Sequence, residues 1–212
     1  MPYVCLLLSG AALLVNGLAT LGHVPRRDAG VLNLVVGVVQ LVLGVAVLCL
    51  GGPANTALTA AGIFLFGLTY VYAGLDALMN LGSKGLGWFC GMVAFVAVLL
   101  AAVWLAADPL LAALWLAWAV LWGLMFGSLA LGQGRLDRFI GWAVVLASQV
   151  TATVPAVLGL AGAWPRGPEI AGLAALVIAA LFGTALVLAR RMAGSNGASE
   201  GSAPTITPSS HR

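Results

Sequence analysis

Two groups of aromatic residues have the types and spacing to do chemistry in this chain. Trp115, Trp118 and Trp122 are spaced three and four residues apart, so they share one face of a helix. Phe66 and Tyr70 are four residues apart in another apolar run and share a face in the same way. Facing rings suit a small, flat, neutral and polar solute, and they exclude hydrated ions because rings cannot replace an ion's water shell. The simpler alternative is packing between helices, with the indole and phenol groups bonded to neighbouring carbonyls.

Ionisable side chains that could support proton transfer or catalysis are few in this sequence. Asp76 is the only charged residue inside the long apolar runs, whereas a proton-coupled carrier usually holds several ionisable groups there. His23 and His211 lie at a loop edge and in the C-terminal segment. The sequence shows no Ser/His/Asp set, metal-ligand cluster or phosphate-binding loop, and its three cysteines lack metal or redox spacing. We therefore expect no enzyme activity, no metal and no cofactor.

The composition points to lipid as the solvent. The chain is 62% hydrophobic and only 7% charged over its 212 residues. A soluble domain carries roughly 25% charged residues, so this chain cannot cover itself with polar surface. Its basic residues stand singly or in pairs between apolar runs, which argues against a nucleic-acid partner. These features predict an all-α integral membrane protein in contact with the lipid bilayer.

Seven apolar runs are long enough to cross a bilayer, since a helical span needs about 20 residues. They cover residues 3–21, 31–50, 56–79, 85–107, 110–131, 139–163 and 170–189. Pro155 lies inside the sixth run, and we expect it to kink that helix. Residues 192–212 are rich in Ser, Gly, Thr and Pro, which predicts a disordered tail.

The basic residues of the connecting segments predict the orientation in the membrane. The first, third and fifth connections and residues 190–191, directly after the seventh run, carry seven basic residues, whereas the other connections carry only Arg166. The seven are Arg26, Arg27, Lys84, Arg135, Arg138, Arg190 and Arg191. Positive charge favours the cytoplasmic side. We therefore expect a plasma-membrane protein with its N-terminus outside and its C-terminus in the cytoplasm.

The runs also show a weak internal similarity. Residues 15–22 resemble residues 75–82, and Gly87-Trp88 resembles Gly141-Trp142. Together with the basic connections, this pattern predicts three related two-helix hairpins, built from runs one and two, three and four, and five and six, plus one additional span. Chance similarity in an apolar sequence of low diversity is the alternative.

Several motifs, in order and at similar spacing, resemble the AmiS/UreI family of urea and short-chain amide channels, closer to the amide-transporter branch. They are the apolar stretch ending in Asn16-Gly17, VLNLVVG at 31–37, FGLTYVY at 66–72, WLAWAVLW at 115–122 and TATVP at 151–155. The resemblance covers most of residues 1–160. It implies three hairpins around a pore in each protomer, a homo-hexameric ring, and passive permeation of urea or short-chain aliphatic amides. The domains would be a six-helix channel at 1–163, an additional transmembrane helix at 164–191 and the tail at 192–212.

The resemblance also implies a set of pore-lining positions. They are Leu6, Ser9, Leu13, Phe66, Tyr70, Trp115, Trp118, Leu121, Trp122 and Ala147. Acid-gated members of the family carry a glutamate at the position of Ala147 and a long titratable loop where this chain has only residues 51–55. We therefore expect permeation without acid activation. Residues 84–90 resemble the amide branch, which favours short amides and leaves urea open.

Two other functions stay open from the sequence. A proton-coupled secondary transporter of a small polar solute would use Asp76 as its carboxylate. A non-transporting membrane scaffold would use the deep aromatic residues for packing alone.

Overall fold

The computed structural model describes residues 1–52 and 56–200, and the regular secondary structure of this part of the chain is entirely helical, without strands. Seven of its helical segments are long and apolar enough to cross a membrane, which confirms the all-α membrane fold. The helices are α1 (Pro2–Thr20), α2 (Arg26–Leu50), α3 (Thr56–Met79), α4 (Lys84–Trp104), α5 (Pro109–Leu129), α6 (Asp137–Ala147), α7 (Val154–Leu160) and α8 (Pro168–Glu200). A π-helical segment, Ser148–Thr153, joins α6 to α7, so these three form the sixth span.

The helical bundle has two ends, which differ in charge. The N-terminal face is the end at which α1 begins, and the basic face is the opposite end, where Arg26 and Lys84 begin α2 and α4. Capping helps to set the boundaries. The carboxylate of Asp108 accepts a hydrogen bond of 2.9 Å from the Leu111 N–H, and Pro109 occupies the first helical position, where its missing N–H costs nothing. Both features start α5 at the N-terminal face.

Glycines allow α2 and α3 to pack backbone against backbone. A Cβ on Gly37 would lie 2.7 Å from the carbonyl oxygen of Gly67, and one on Gly74 would lie 2.8 Å from that of Gly30. The two glycines of each helix are seven residues apart, which is two helical turns, so they fall on one stripe. In a membrane the hydrophobic effect does not favour helix–helix contact over helix–lipid contact. Small residues on facing stripes let the two backbones approach closely, and the resulting van der Waals contact holds the helices together.

The closest helix pairs are not those joined by the basic connections. The most extensive packing joins α2 to α3, α4 to α5, and α1 to the sixth span. Gly17 of α1 and Gly141 of α6 meet as the glycines of α2 and α3 do, with a Cβ on Gly17 placed 2.8 Å from the Gly141 carbonyl oxygen. The two spans of each predicted hairpin therefore follow each other along the chain, but they are not the most closely packed pairs. In space, the first span packs against the sixth and closes the six-helix unit.

The π-helical segment ends at Thr153, two residues before Pro155. Proline has no N–H to donate to the preceding turn, so regular α-helical bonding is interrupted there. Within the segment, side-chain hydroxyls also donate to backbone carbonyls of the preceding turn: Thr151 to Ala147 at 2.7 Å, and Thr153 to Ser148 at 2.9 Å. Such segments place side chains at angles that a regular helix does not offer.

Helix α8 packs on the outside of the six-helix unit, against α5 and α6. Leu173, Leu176 and Val187 are among its exposed apolar side chains, as suits a lipid-facing helix. It continues to Glu200, beyond the predicted end of the seventh span at residue 189 and into the predicted tail. The rest of that tail, residues 201–212, lies outside the described residues, as does part of the predicted loop at 51–55.

Candidate functional site

The two aromatic faces meet in the centre of the bundle. The ring of Phe66 contacts Trp115, Trp118 and Trp122, with centroid distances of 6.0, 5.0 and 4.6 Å. Tyr70 lies one helical turn away, with its ring 6.1 Å from that of Phe66. All five side chains are buried. The contacts of Phe66 with Trp118 and Trp122 are edge to face, and such contacts stabilise a ring pair beyond area burial alone. The cluster therefore forms a defined wall.

A hydrogen bond fixes the orientation of Trp118. Its indole N–H donates to the Thr151 hydroxyl at 3.1 Å, and that hydroxyl donates in turn to the Ala147 carbonyl. Thr151 is fully buried in the π-helical segment. The central ring of the wall is therefore tied to the sixth span, and its polar atom is satisfied behind the wall.

Two cavities approach this wall from opposite ends of the bundle. The cavity at the N-terminal face encloses about 300 Å³ and reaches from Pro2 and Trp164 to the aromatic wall. The cavity at the basic face encloses about 370 Å³ and reaches from Arg26 and Asp76 to the same wall. Phe66 and Trp118 border both cavities. These two rings therefore form the divider between two vestibules.

Nine of the ten residues named from the sequence border one or both vestibules. Leu6, Ser9 and Trp115 border the N-terminal vestibule, and Leu13, Tyr70, Leu121 and Trp122 border the basic one, with Phe66 and Trp118 shared. Ala147 is buried and borders neither of the two. It lies behind the wall, where its carbonyl accepts from Thr151.

The mouth of the basic vestibule is held by polar contacts. The Arg26 guanidinium pairs with the buried carboxylate of Asp76, which also accepts from the Ser83 N–H at 2.7 Å and the Ser83 hydroxyl at 2.6 Å. Asn16 and Asn33 exchange two side-chain hydrogen bonds across α1 and α2. Asp76 is thus engaged by donors from α2 and from the turn after α3, an arrangement that anchors three segments at the mouth.

The other mouth has its own anchor. The Trp164 indole donates to the second carboxylate oxygen of Asp108 at 2.9 Å, and its ring lies 5.3 Å from that of Tyr3. Tyr3, Asp108 and Trp164 all border the N-terminal vestibule. The carboxylate that starts α5 therefore also holds the connection between α7 and α8 against α1.

Gln40 and Thr151 are not among the residues predicted from the sequence to line the pore. Gln40 is fully buried in α2, and its side-chain N–H groups donate to the Cys5 carbonyl and the Ser9 hydroxyl, both at 2.8 Å. A glutamine in the middle of an apolar membrane helix is costly, which is the signal that could have found it. Thr151 belongs to the TATVP motif, but its hydrogen bond to Trp118 depends on how two distant helices meet, and the sequence does not show that.

The wall is chemically neutral. Its rings and the aliphatic side chains beside them offer no charge to a passing solute, and in the described ranges no three His, Cys, Asp or Glu side chains come together to hold a metal ion. The arrangement can stack a flat solute and offer it a few polar atoms. It cannot replace the water shell of an ion.

Known proteins are similar to this chain over most of its length. The family model described as AmiS/UreI family transporter matches residues 1–163. A protein of Rhodococcus erythropolis with the provisional description transporter protein AmiS2 is 44% identical over 192 residues, covering 89% of this chain and 93% of its own. One of Mycolicibacterium smegmatis, provisionally described as an amidate substrates transporter protein, is 40% identical over 185 residues, covering 85% of this chain and 84% of its own.

Solved structures resemble the chain as well. The crystal structure of the urea channel from Helicobacter pylori superposes with a TM-score of 0.67, and its cryo-electron microscopy structure in a closed state with 0.70. Each is 28% identical and covers 78% of this chain and all of the channel chain. Family match, identity and fold agree over the six-helix unit: the chain is a member of the AmiS/UreI family of membrane transporters.

Proposed function

We propose that this protein is a passive channel for short-chain aliphatic amides and urea, with amides favoured. The observation that carries the proposal is the pair of vestibules that end on opposite sides of the Phe66 and Trp118 rings. A neutral aromatic divider between two open vestibules suits a small planar solute that stacks on rings. The names of the relatives, an amidate transporter and a urea channel, support the same solutes.

The site of action would be the cytoplasmic membrane. Seven basic residues at one face against one at the other support an orientation with the N-terminus outside and the C-terminus in the cytoplasm. A homo-hexamer is the assembly that the family resemblance implies. Native mass spectrometry of the detergent-solubilised protein tests the hexamer, and a single-subunit mass would contradict it.

Solute uptake by proteoliposomes tests the function. Vesicles with the purified protein should take up acetamide, formamide and urea faster than protein-free vesicles, with no imposed pH gradient. The matched pair is Trp118→Phe against Trp88→Phe, since Trp88 is exposed on α4 and packs on Phe126 away from both vestibules. The rate or the order of solutes should change in the Trp118 variant alone.

A further inference from the structure

Two buried polar atoms beside the aromatic wall have no hydrogen-bond partner. They are the side-chain carbonyl oxygen of Gln40 and the hydroxyl of Tyr70, and they are the unpaired buried atoms among the side chains that the structure describes. Gln40 is fully buried and Tyr70 is 3% exposed. Leaving a polar atom unpaired in an apolar interior is costly, so each such atom needs an explanation.

The neighbours of Gln40 fix which end of its amide is free. Its N–H groups donate to the Cys5 carbonyl and the Ser9 hydroxyl. A backbone carbonyl can only accept, so the amide cannot be turned round without breaking the first of these bonds. The unpaired end is therefore the oxygen, a pure acceptor, on a residue that borders the N-terminal vestibule.

Tyr70 supplies the complementary group on the other side. Its side chain borders the basic vestibule, and its hydroxyl lies close to that of Ser9 but makes no hydrogen bond of regular geometry. A phenol hydroxyl can donate a proton. Ser9 links the two residues, because its hydroxyl accepts from the Gln40 side-chain N–H and lies close to the Tyr70 hydroxyl. It borders the N-terminal vestibule beside the divider that Phe66 and Trp118 form.

We propose that the Gln40 side-chain oxygen and the Tyr70 hydroxyl form a hydrogen-bonding subsite for the amide group of the solute as it crosses the divider. The solute's N–H donates to Gln40, and the Tyr70 O–H donates to the solute's carbonyl oxygen. Neither atom has a hydrogen-bond partner within the protein, so bonding to them offsets part of the hydration that the solute loses between the rings. This subsite rests on the proposed channel function and adds its chemical class, an amide with at least one N–H.

The sharpest test is Tyr70→Phe, because this change removes only a hydroxyl that makes no hydrogen bond of regular geometry within the protein. Tyr72→Phe is its matched control, since Tyr72 packs on Phe89 and borders neither vestibule. Acetamide uptake should fall several-fold in Tyr70→Phe, with gel-filtration profile and melting temperature unchanged, and should stay at the wild-type rate in Tyr72→Phe.

Gln40→Met tests the acceptor, with Gln149→Met as its control. Gln149 is exposed on the π-helical segment and lies away from both vestibules. A several-fold loss of acetamide uptake in Gln40→Met, absent from Gln149→Met, supports the subsite. Wild-type uptake in both Gln40→Met and Tyr70→Phe overturns it, and so does a loss that appears only with an altered gel-filtration profile. A wild-type protein that passes no acetamide overturns the channel itself, so the two failures are distinguishable.

Discussion

Phe66 and Trp118 meet edge to face, with ring centroids 5.0 Å apart and planes at 89°, where two vestibules end. One ring comes from α3 and the other from α5, so the contact joins two helices across the centre of the six-helix unit. A solute that passes between the vestibules must pass these rings. Their separation and orientation therefore set the width of the passage in our account.

Removing the Trp118 ring should widen the passage and weaken selectivity. We expect Trp118→Ala to raise glycerol uptake relative to acetamide uptake, because the indole no longer fills the space beside Phe66. The truncation also costs roughly 3–5 kcal/mol of stability, as large-to-small changes in a packed core do. Trp88→Ala, on the exposed side of α4, is the control. An unchanged ratio of glycerol to acetamide uptake in Trp118→Ala would place the divider elsewhere.

The hydrogen bond that orients Trp118 can be removed without touching the ring. In Thr151→Val the indole N–H loses its acceptor, which costs about 1–3 kcal/mol for a buried donor. We expect a lower melting temperature and a less selective pore. Thr151→Ser keeps the hydroxyl and should behave like the wild type. If the valine and serine variants match each other in melting temperature and uptake, the hydrogen bond does not position the ring.

Close packing of α2 on α3 predicts a sharp difference between two glycines. Gly37→Ala would put a methyl group 2.7 Å from the Gly67 carbonyl oxygen and the Val71 nitrogen, and these backbone atoms cannot rotate away. We expect a loss of about 1–3 kcal/mol, typical of overpacking. Gly123→Ala in α5 has open space around the new methyl group and should leave the melting temperature close to wild type. A Gly37→Ala protein as stable as Gly123→Ala would contradict the packing described.

The sequence is informative about the fold and the ring faces because both follow from local rules. Length and hydrophobicity decide which runs span a membrane, and spacing of three or four residues decides which rings share a face. The family motifs and the helical membrane fold are confirmed by the comparisons and the structure. The assignment of the ten pore residues remains a prediction until uptake by their variants is measured.

The polar contacts depend on how separate helices meet, and no local pattern encodes that. Gln40 reaches Cys5 and Ser9 only because α1 and α2 pack in one particular register. Thr151 reaches Trp118 from the π-helical segment, whose extra residue per turn changes the direction of its side chains. The extension of α8 to Glu200 likewise follows no apolar pattern, since its last residues are small and polar.

The pairing of Asp76 bears on the proton-coupled alternative. Its carboxylate is engaged by Arg26 and Ser83, which suits an anchor at the mouth. We expect Asp76→Asn to keep acetamide uptake near the wild-type rate without a pH gradient, since the divider is untouched. Uptake that requires a pH gradient in the wild type and disappears in Asp76→Asn would instead establish a carboxylate-coupled carrier.

Acid should not open this channel. The family resemblance implies that acid-gated members carry a glutamate at the position where this chain has Ala147. An alanine side chain has no group to titrate. We expect acetamide uptake to stay flat as the external pH falls from neutral to acid. Ala147→Glu is the informative variant, because it places a titratable group behind the wall beside Thr151. Strong activation of the wild-type protein by acid would be incompatible with this prediction.

The most direct measurement is stopped-flow uptake of acetamide, formamide and urea by proteoliposomes, with wild-type, Trp118→Ala and Tyr70→Ala proteins compared. The account predicts fast wild-type uptake that needs no pH gradient, and a changed rate or order of solutes in both variants. Wild-type vesicles no faster than protein-free ones would contradict the channel. Variants that keep both the rate and the solute order of the wild type would contradict the pore through the Phe66 and Trp118 rings.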